Sequence, residues 1–159
     1  MWAVKEDHLP VVDALLGVSC LHVATVDSKG ATPLVVAVRQ RQLHHVRHLL
    51  RCPHTDTDRP GPDGVTPLHM AIQQEPRNRD IITALLALVA CPRTDLNHAH
   101  PTSQTPLMRV AANGQQPFVD VLLGLPARAD INAQDGAGWT PLMHAAHAGH
   151  YDVVLAMLR

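Results

Sequence analysis

The sequence GWTPLMHAAHAGHYDVV, at residues 138–154, decides the fold of this chain. Its Thr-Pro-Leu triplet, which begins at Thr140, also begins at Thr32, Thr66 and Thr105. Successive triplets are separated by 34, 39 and 35 residues. A recurring motif with a period of about 33 residues is typical of proteins that stack copies of one small structural unit.

Each copy predicts two helices joined by a turn. The threonine of the triplet begins the first helix, because its hydroxyl accepts hydrogen bonds from free backbone N–H groups and proline suits the first helical position. Apolar residues then recur at helical spacing, as Leu34, Ala37 and Val38 do in the first full copy. A second helix follows a short polar break and ends before Cys52-Pro53.

The triplets divide the chain into one partial and four full repeats. The predicted segments are 1–22, 23–56, 57–95, 96–130 and 131–159. The long interval before Thr105 comes from insertions in loops, which tolerate changes of length. Segment 1–22 has no triplet, so either the array extends further upstream, which we prefer, or this segment is a degenerate cap.

Composition and charge exclude several classes of protein. With 159 residues, of which 46% are apolar, the chain is long enough to build a core. Thirteen Lys and Arg against fourteen Asp and Glu give a net charge of −1, so bulk attraction to nucleic acid or an anionic membrane is not expected. No apolar segment approaches the ~20 residues that span a bilayer, which predicts no membrane insertion.

Three widely spaced cysteines match neither a zinc site nor a redox motif. Cys52 and Cys91 hold the same place in consecutive repeats, but stacked helices lie about 8–10 Å apart, which disfavours a bridge of about 7 Å or less. We therefore expect Cys20, Cys52 and Cys91 to be reduced. Reduced cysteines favour an intracellular location, in the cytoplasm or the nucleus.

The best copy resembles an ankyrin repeat. The resemblance lies in Asp130-Ile131-Asn132, in residues 135–142, in Ala145-Ala146 and in Gly149-His150, and the pattern covers essentially the whole chain. It implies an all-α solenoid of stacked antiparallel helix pairs with short β-hairpin fingers. It also implies a non-enzymatic scaffold that binds a protein or peptide on the concave surface of fingers and inner helices, as a monomer or within a longer chain.

The repeats depart from the family pattern at several positions. Only His69 keeps the histidine that follows the triplet, Ser103 replaces a finger glycine, and His45 occupies a normally apolar inward position. We expect His69 to have a structural role, with its ring bonded to backbone or to a threonine in the adjacent finger tips.

The resemblance also places the residues that are free to bind a partner, although whether the concave or the convex face is used stays open. The predicted partner-binding residues are Lys29, Arg39, Gln40, Gln73, Gln74, Gln104, Asn113, Trp139 and His147. Ala31 and Val65 are further finger residues that we expect to be exposed. The alternative function is a structural spacer or targeting module of a larger protein whose activity lies elsewhere.

Two groups of histidines raise the question of a metal site. His44 and His48 share a helix face, as two zinc ligands would, but no cysteine or carboxylate at matching spacing completes the site. His144, His147 and His150 recur at intervals of three, and His150 fits the ordinary Gly-His turn of the family. We therefore predict no metal, no cofactor and no catalytic residue.

Overall fold

The computed structural model describes residues 2–18, 25–74, 79–89, 95–98, 104–124 and 129–159. Over these residues it contains ten α-helices and no β-strand, which confirms the all-α prediction. The helices are α1 Trp2–Lys5, α2 Leu9–Val18, α3 Pro33–Arg39, α4 Leu43–Arg51, α5 Pro67–Gln73, α6 Arg79–Val89, α7 Pro106–Ala112, α8 Gln116–Gly124, α9 Pro141–His147 and α10 Tyr151–Met157. In the part of the chain that is described, none of them is long and apolar enough to cross a membrane.

The helices fall into two compact units. The first, Met1–Leu88, contains α1 to α5 and all of α6 except its last residue, and the second, Val89–Arg159, contains α7 to α10. In the first unit α1 packs against α2 and α3 against α4, while in the second α7 packs against α8 and α9 against α10. The exact repeat boundaries stay predictions.

The threonine of every triplet caps the first helix of its pair, as predicted. Each has an extended backbone, and its side-chain oxygen accepts a hydrogen bond from the backbone N–H three residues later. The four bonds run from Val35 N to Thr32 at 3.2 Å, from His69 N to Thr66 at 3.4 Å, from Met108 N to Thr105 at 3.4 Å and from Met143 N to Thr140 at 3.3 Å. Such a cap is worth about 1 kcal/mol of stability.

Burial of the first helices depends on how many neighbours each one has within its unit. Helix α3 contacts α1, α4 and α5, and its residues from Pro33 to Val38 are all buried. The stripe predicted from Leu34, Ala37 and Val38 is therefore too narrow, because α3 is covered on several sides. Helix α9 packs against α7 and α10, and only Pro141 and Ala145 among its residues are buried.

Two buried histidines contribute to the first unit. His69 is fully buried, and its Nδ1 lies 2.8 Å from Thr66 Oγ1. The structural role predicted for this ring is confirmed, but its threonine partner belongs to the same triplet and not to an adjacent finger tip. His45 is also buried, and its Nδ1 lies 3.3 Å from an Asp7 carboxylate oxygen. The inward position predicted for His45 is thus correct.

Cys52 corrects the prediction of reduced cysteines. It is disulfide-bonded, and the other two cysteines of the chain, Cys20 and Cys91, lie outside the described residues. The prediction used the separation of helix axes. Cys52, however, follows α4 in extended backbone with φ −77° and ψ 123°, so that separation does not limit its reach. The cysteines therefore no longer support an intracellular location.

Candidate functional site

Tight turns precede the first helices at the positions of the predicted β-hairpin fingers, and the described residues contain no β-strand there. In the turn at residues 27–31, Asp27 N donates to Ala31 O at 3.0 Å, and Gly30 N donates to Asp27 O at 2.9 Å. The turn at residues 135–139 repeats both bonds, from Asp135 N to Trp139 O and from Gly138 N to Asp135 O. Both glycines have a positive φ, a conformation that costs energy for residues with a Cβ atom.

The Asp27 carboxylate holds the first of these turns together. It accepts hydrogen bonds from the backbone N–H groups of Lys29 and Ala31, both at 2.9 Å, and its other oxygen lies 3.0 Å from Lys5 Nζ. The hydrogen bond from Lys5, followed by that from Ala31 N–H, lowers the pKa of Asp27 to about 2. Asp27 stays ionised at neutral pH and joins α1 to the finger.

Asp135 plays the same part in the second unit. It accepts from the N–H groups of Ala137 and Trp139 at 2.9 Å, and its Oδ2 lies 2.9 Å from His144 Nε2. The hydrogen bond from Trp139 N–H lowers its pKa, burial opposes the change, and the bond from His144 lowers the pKa further. The sequence pattern placed Asp135 in the repeat but did not predict its link to His144, which rigidly joins the finger to α9.

Trp139 and His147 lie together, as two members of a candidate binding surface should. The Trp139 ring is half-buried, and its centroid lies 5.0 Å from that of His147 in an edge-on arrangement at 80°. The His144 ring lies 5.3 Å away at 49°. Trp139 therefore packs on the first helix of its own repeat.

Gln104 and Asn113 flank the neighbouring inner helix, α7. Gln104 is half-buried, and its Oε1 accepts a hydrogen bond from Arg109 Nη1 at 3.0 Å. Asn113 is exposed at the C-terminal end of α7. Arg109 is not among the predicted residues, although it lies four residues after its cap threonine, as His144 does after Thr140.

In the first unit the candidate residues lie at the C-terminal ends of inner helices. Arg39 Nη2 lies 3.5 Å from Asp63 Oδ2, and both side chains are about half exposed. Gln40 Nε2 donates to Lys5 O at 3.3 Å. Gln74 Oε1 accepts from Arg41 Nε at 3.4 Å. These polar side chains therefore bridge neighbouring repeats instead of projecting independently.

Two further candidates of the first unit, Gln73 and Lys29, are exposed. Two other finger residues are not. Ala31 and Val65 are buried, with exposed fractions of 1% and 7%, so the prediction that they are exposed is wrong. Each lies at the root of its turn, next to a cap threonine, where a small or apolar side chain is covered by the fold.

His144, His147 and His150 have separate structural contacts. His144 is bound to Asp135, the His150 Nε2 lies 3.0 Å from Ala112 O, and His147 packs on Trp139. Among the residues that the structure describes, no three His, Cys, Asp or Glu side chains are grouped so as to hold a metal ion. These histidines therefore contribute to packing and to the exposed surface.

Comparison with known proteins agrees with this geometry. The family model described as "Ankyrin repeats (3 copies)" matches residues 1–95 and 78–159. The chain belongs to the ankyrin-repeat family. Ankyrin repeats generally mediate protein–protein interactions.

Three relatives show the contexts in which similar repeats occur. The chain is 31% identical over 133 residues to the probable 26S proteasome regulatory subunit p28 of Saccharomyces cerevisiae, covering 83% of this chain and 55% of that protein. It is 32% identical over 163 residues to ankyrin repeat protein nuc-2 of Neurospora crassa, and the match covers 99% of this chain and 14% of that protein. A shorter match, 44% identical over 55 residues, is to ankyrin repeat and SAM domain-containing protein 6 of Rattus norvegicus, and it covers 34% of this chain and 6% of that protein. The chain thus spans about half of the yeast relative and a small part of the other two.

Proposed function

We propose that this chain is a non-enzymatic scaffold that binds a protein or peptide through its fingers and inner helices. The observation that carries the proposal is the half-buried Trp139, whose ring packs against His144 and His147 on the finger of the second unit. Tryptophan is enriched among the residues that dominate binding energy at protein interfaces. A partner side chain that packs on Trp139 would complete its burial.

The finger that carries Trp139 is organised before any partner arrives. Asp135 binds the backbone N–H of Trp139 and the ring of His144, so the finger and α9 share one carboxylate. Binding therefore costs little conformational entropy at this position, which is how a rigid surface gains affinity. His147 and Asn113 extend the proposed surface along the exposed ends of the two inner helices.

The corresponding surface of the first unit is polar. Lys29, Arg39, Gln40, Gln73 and Gln74 supply hydrogen-bonding groups that recognise a partner by orientation more than by area. The ion pair of Arg39 with Asp63 is half exposed, and such pairs contribute only about 0–1 kcal/mol. Arg39 can therefore exchange Asp63 for a carboxylate of the partner at little cost.

A substitution experiment tests this surface. Replacing Trp139, Arg39 and Gln73 together by alanine should abolish capture of the partner, while the helical circular dichroism signal persists. The matched control is Tyr151→Ala, because Tyr151 is an aromatic residue on the outer helix α10 and is 70% exposed. The partner is first identified by mass spectrometry of proteins that the unmodified chain retains, and is then titrated by calorimetry.

For Trp139→Ala alone we expect affinity to fall about 30-fold, which corresponds to a loss of about 2 kcal/mol. The Tyr151 variant should bind as the unmodified chain does. Unchanged affinity of the triple variant, or an equal loss in the Tyr151 variant, would contradict the assignment of this surface.

A second candidate function is a structural spacer or targeting module within a larger polypeptide. The coverage of the relatives favours it, since the matching segment makes up 14% and 6% of the two longer proteins. An antibody against these 159 residues tests the idea on a denaturing gel of the source tissue. A band much larger than this chain would support the module, and a band of its own size would remove the proposal.

We also propose that the protein acts in the cytoplasm or the nucleus. The support is the yeast relative, which is named as a regulatory subunit of the proteasome. Fractionation of cells that produce the tagged protein tests this location, and recovery from the medium or from the secretory compartments would contradict it.

A further inference from the structure

One outer helix of the first unit, α4, has a basic face, on which His44, Arg47 and Arg51 are exposed and His48 is partly buried. Its sequence, LHHVRHLLR, contains no acidic residue. His44, Arg47, His48 and Arg51 are spaced at i, i+3, i+4 and i+7, so they follow one side of the helix. His45, Val46, Leu49 and Leu50 are buried on the other side. We call the four polar residues the α4 basic face.

The arginines of this face are not neutralised by the fold. Three other cations of the first unit have partners: Lys5 pairs with Asp27, Arg39 pairs with Asp63, and Arg41 bonds to Gln74. Arg47 and Arg51 are exposed, and within the described part of the chain neither has an ion pair or a hydrogen bond from its side chain. Two guanidinium groups therefore remain available on one side of a helix.

Three acidic residues of the described part of the first unit, Asp7, Asp56 and Asp80, are not bonded to the arginines of α4. Asp7 contacts the buried His45, beside the first turn of the helix. After the helix, Asp56 accepts hydrogen bonds from the backbone N–H groups of Asp58 and Arg59, at 3.0 Å each, and so stabilises its own turn. Asp80 is exposed at the start of α6. No carboxylate among the described residues is bonded to the arginines themselves.

We propose that the α4 basic face binds an acidic segment of a protein partner, as a second docking surface distinct from the fingers and inner helices. Arginine binds carboxylates through two parallel hydrogen bonds, which gives this face geometric selectivity as well as charge. Arg47 and Arg51 are one helical turn apart, with about 6 Å between their Cβ atoms. Acidic residues at alternate positions of an extended segment are about 6.6 Å apart and match this spacing.

The size of the face favours a peptide over nucleic acid. From His44 to Arg51 the face is about 10 Å long, at about 1.5 Å per residue. Proteins that bind nucleic acid tightly neutralise about 6–10 phosphates, and such domains are strongly basic. This chain has a net charge of −1 and two free arginines on this helix. A short acidic segment can pair with both arginines, whereas a nucleic acid would find far fewer cations here than tight binding requires.

Fluorescence anisotropy tests the proposal with a labelled peptide that has glutamate at alternate positions and serine between them. A peptide with glutamine in place of glutamate is the uncharged control. The variant that removes the face is Arg47→Glu with Arg51→Glu. Its matched control is Arg59→Glu with Arg159→Glu, which changes the net charge equally at two exposed residues outside α4.

We expect the unmodified chain to bind the glutamate peptide more tightly than the glutamine peptide, and to lose affinity as salt rises. The Arg47 and Arg51 reversals should weaken binding at least about tenfold, while the control pair stays within about threefold. Circular dichroism should be unchanged in both variants, because all four side chains are exposed.

Several results would overturn the proposal. They are no binding of the glutamate peptide to the unmodified chain, an equal loss in the two double variants, and tighter binding of single-stranded oligonucleotide or phosphatidylserine vesicles that depends on Arg47 and Arg51. Trp139→Ala should leave the peptide affinity unchanged. A loss in that variant would instead place the acidic peptide on the finger surface, and would leave α4 without a role in binding.

Discussion

Replacement of Leu122 by alanine should destabilise the second unit much more than the same change at Val121. The two residues are neighbours on α8, which packs against α7 and α10. Leu122 has an exposed fraction of 0%, whereas Val121 is 41% exposed. The pair therefore separates the effect of burial from that of position in the chain.

The magnitude follows from the buried atoms that are lost. Leucine to alanine removes three carbon atoms from a fully buried site, at about 0.8 kcal/mol each, and leaves a cavity that adds to the cost. We expect Leu122→Ala to lower the free energy of unfolding by about 3–4 kcal/mol. Val121→Ala should change it by about 0.5 kcal/mol or less, as exposed sites usually do.

Urea unfolding followed by tryptophan fluorescence measures the difference. The chain has two tryptophans, Trp2 in the first unit and Trp139 in the second, so a Trp2→Phe background makes the emission report on the second unit. Trp2 is 65% exposed and tolerates this change. With a urea dependence of about 1–3 kcal/mol per molar, the Leu122 variant should shift the midpoint down by at least about 1 M.

The reasoning would be refuted by similar midpoints for the two alanine variants. It would also be refuted if Leu122→Ala cost less than about 1 kcal/mol. In either case the packing of α8 against its neighbours would not be what stabilises this unit.

Two further predictions concern local interactions. The folded-state pKa of Asp27, about 2, lies below the ordinary value near 3.9, so its bond with Lys5 stabilises the fold fully above about pH 4 and is lost as the pH falls towards 2. In Asp27→Asn, the urea midpoint should therefore fall less between about pH 4 and pH 2 than it does in the unmodified chain. An equal fall in both proteins would contradict the role of Asp27. Gly114→Ala should lower the thermal midpoint by about 4 °C or more, because Gly114 has φ +69° and an added Cβ atom would lie 2.6 Å from the His150 ring. Gly124→Ala is the control, since nothing lies within 4 Å of an added Cβ atom there. Differential scanning calorimetry measures both variants, and equal midpoints would be inconsistent with a fixed ring at His150.

Two separate surfaces, if both bind, would give this small chain more than one way to hold a partner. The surface around Trp139 is aromatic and pre-organised, while the α4 basic face offers exposed charge. Binding at both by one partner would raise the overall affinity beyond either contact alone, provided that the partner spans the distance between them. The variants at Trp139 and at Arg47 with Arg51 separate the two contributions.

The sequence by itself determined the helical repeats, because their signals lie within a few residues of one another. Thr105 caps α7 through a bond to Met108 N only three residues away. His69 reaches Thr66 over the same short distance. Such bonds depend on local backbone geometry, and the spacing of Thr-Pro-Leu with the following apolar residues is enough to predict them.

Tertiary structure decided which side chains the binding surface can use. Lys5 with Asp27 and Arg39 with Asp63 are pairs whose partners lie more than twenty residues apart. The disulfide bond of Cys52 likewise depends on how the chain folds back on itself. These contacts exist only once helices and turns stack, since stacking brings together side chains that no local pattern relates. The helical repeats could therefore be predicted from the sequence, whereas the side-chain pairs on their surface could be identified only in the folded structure.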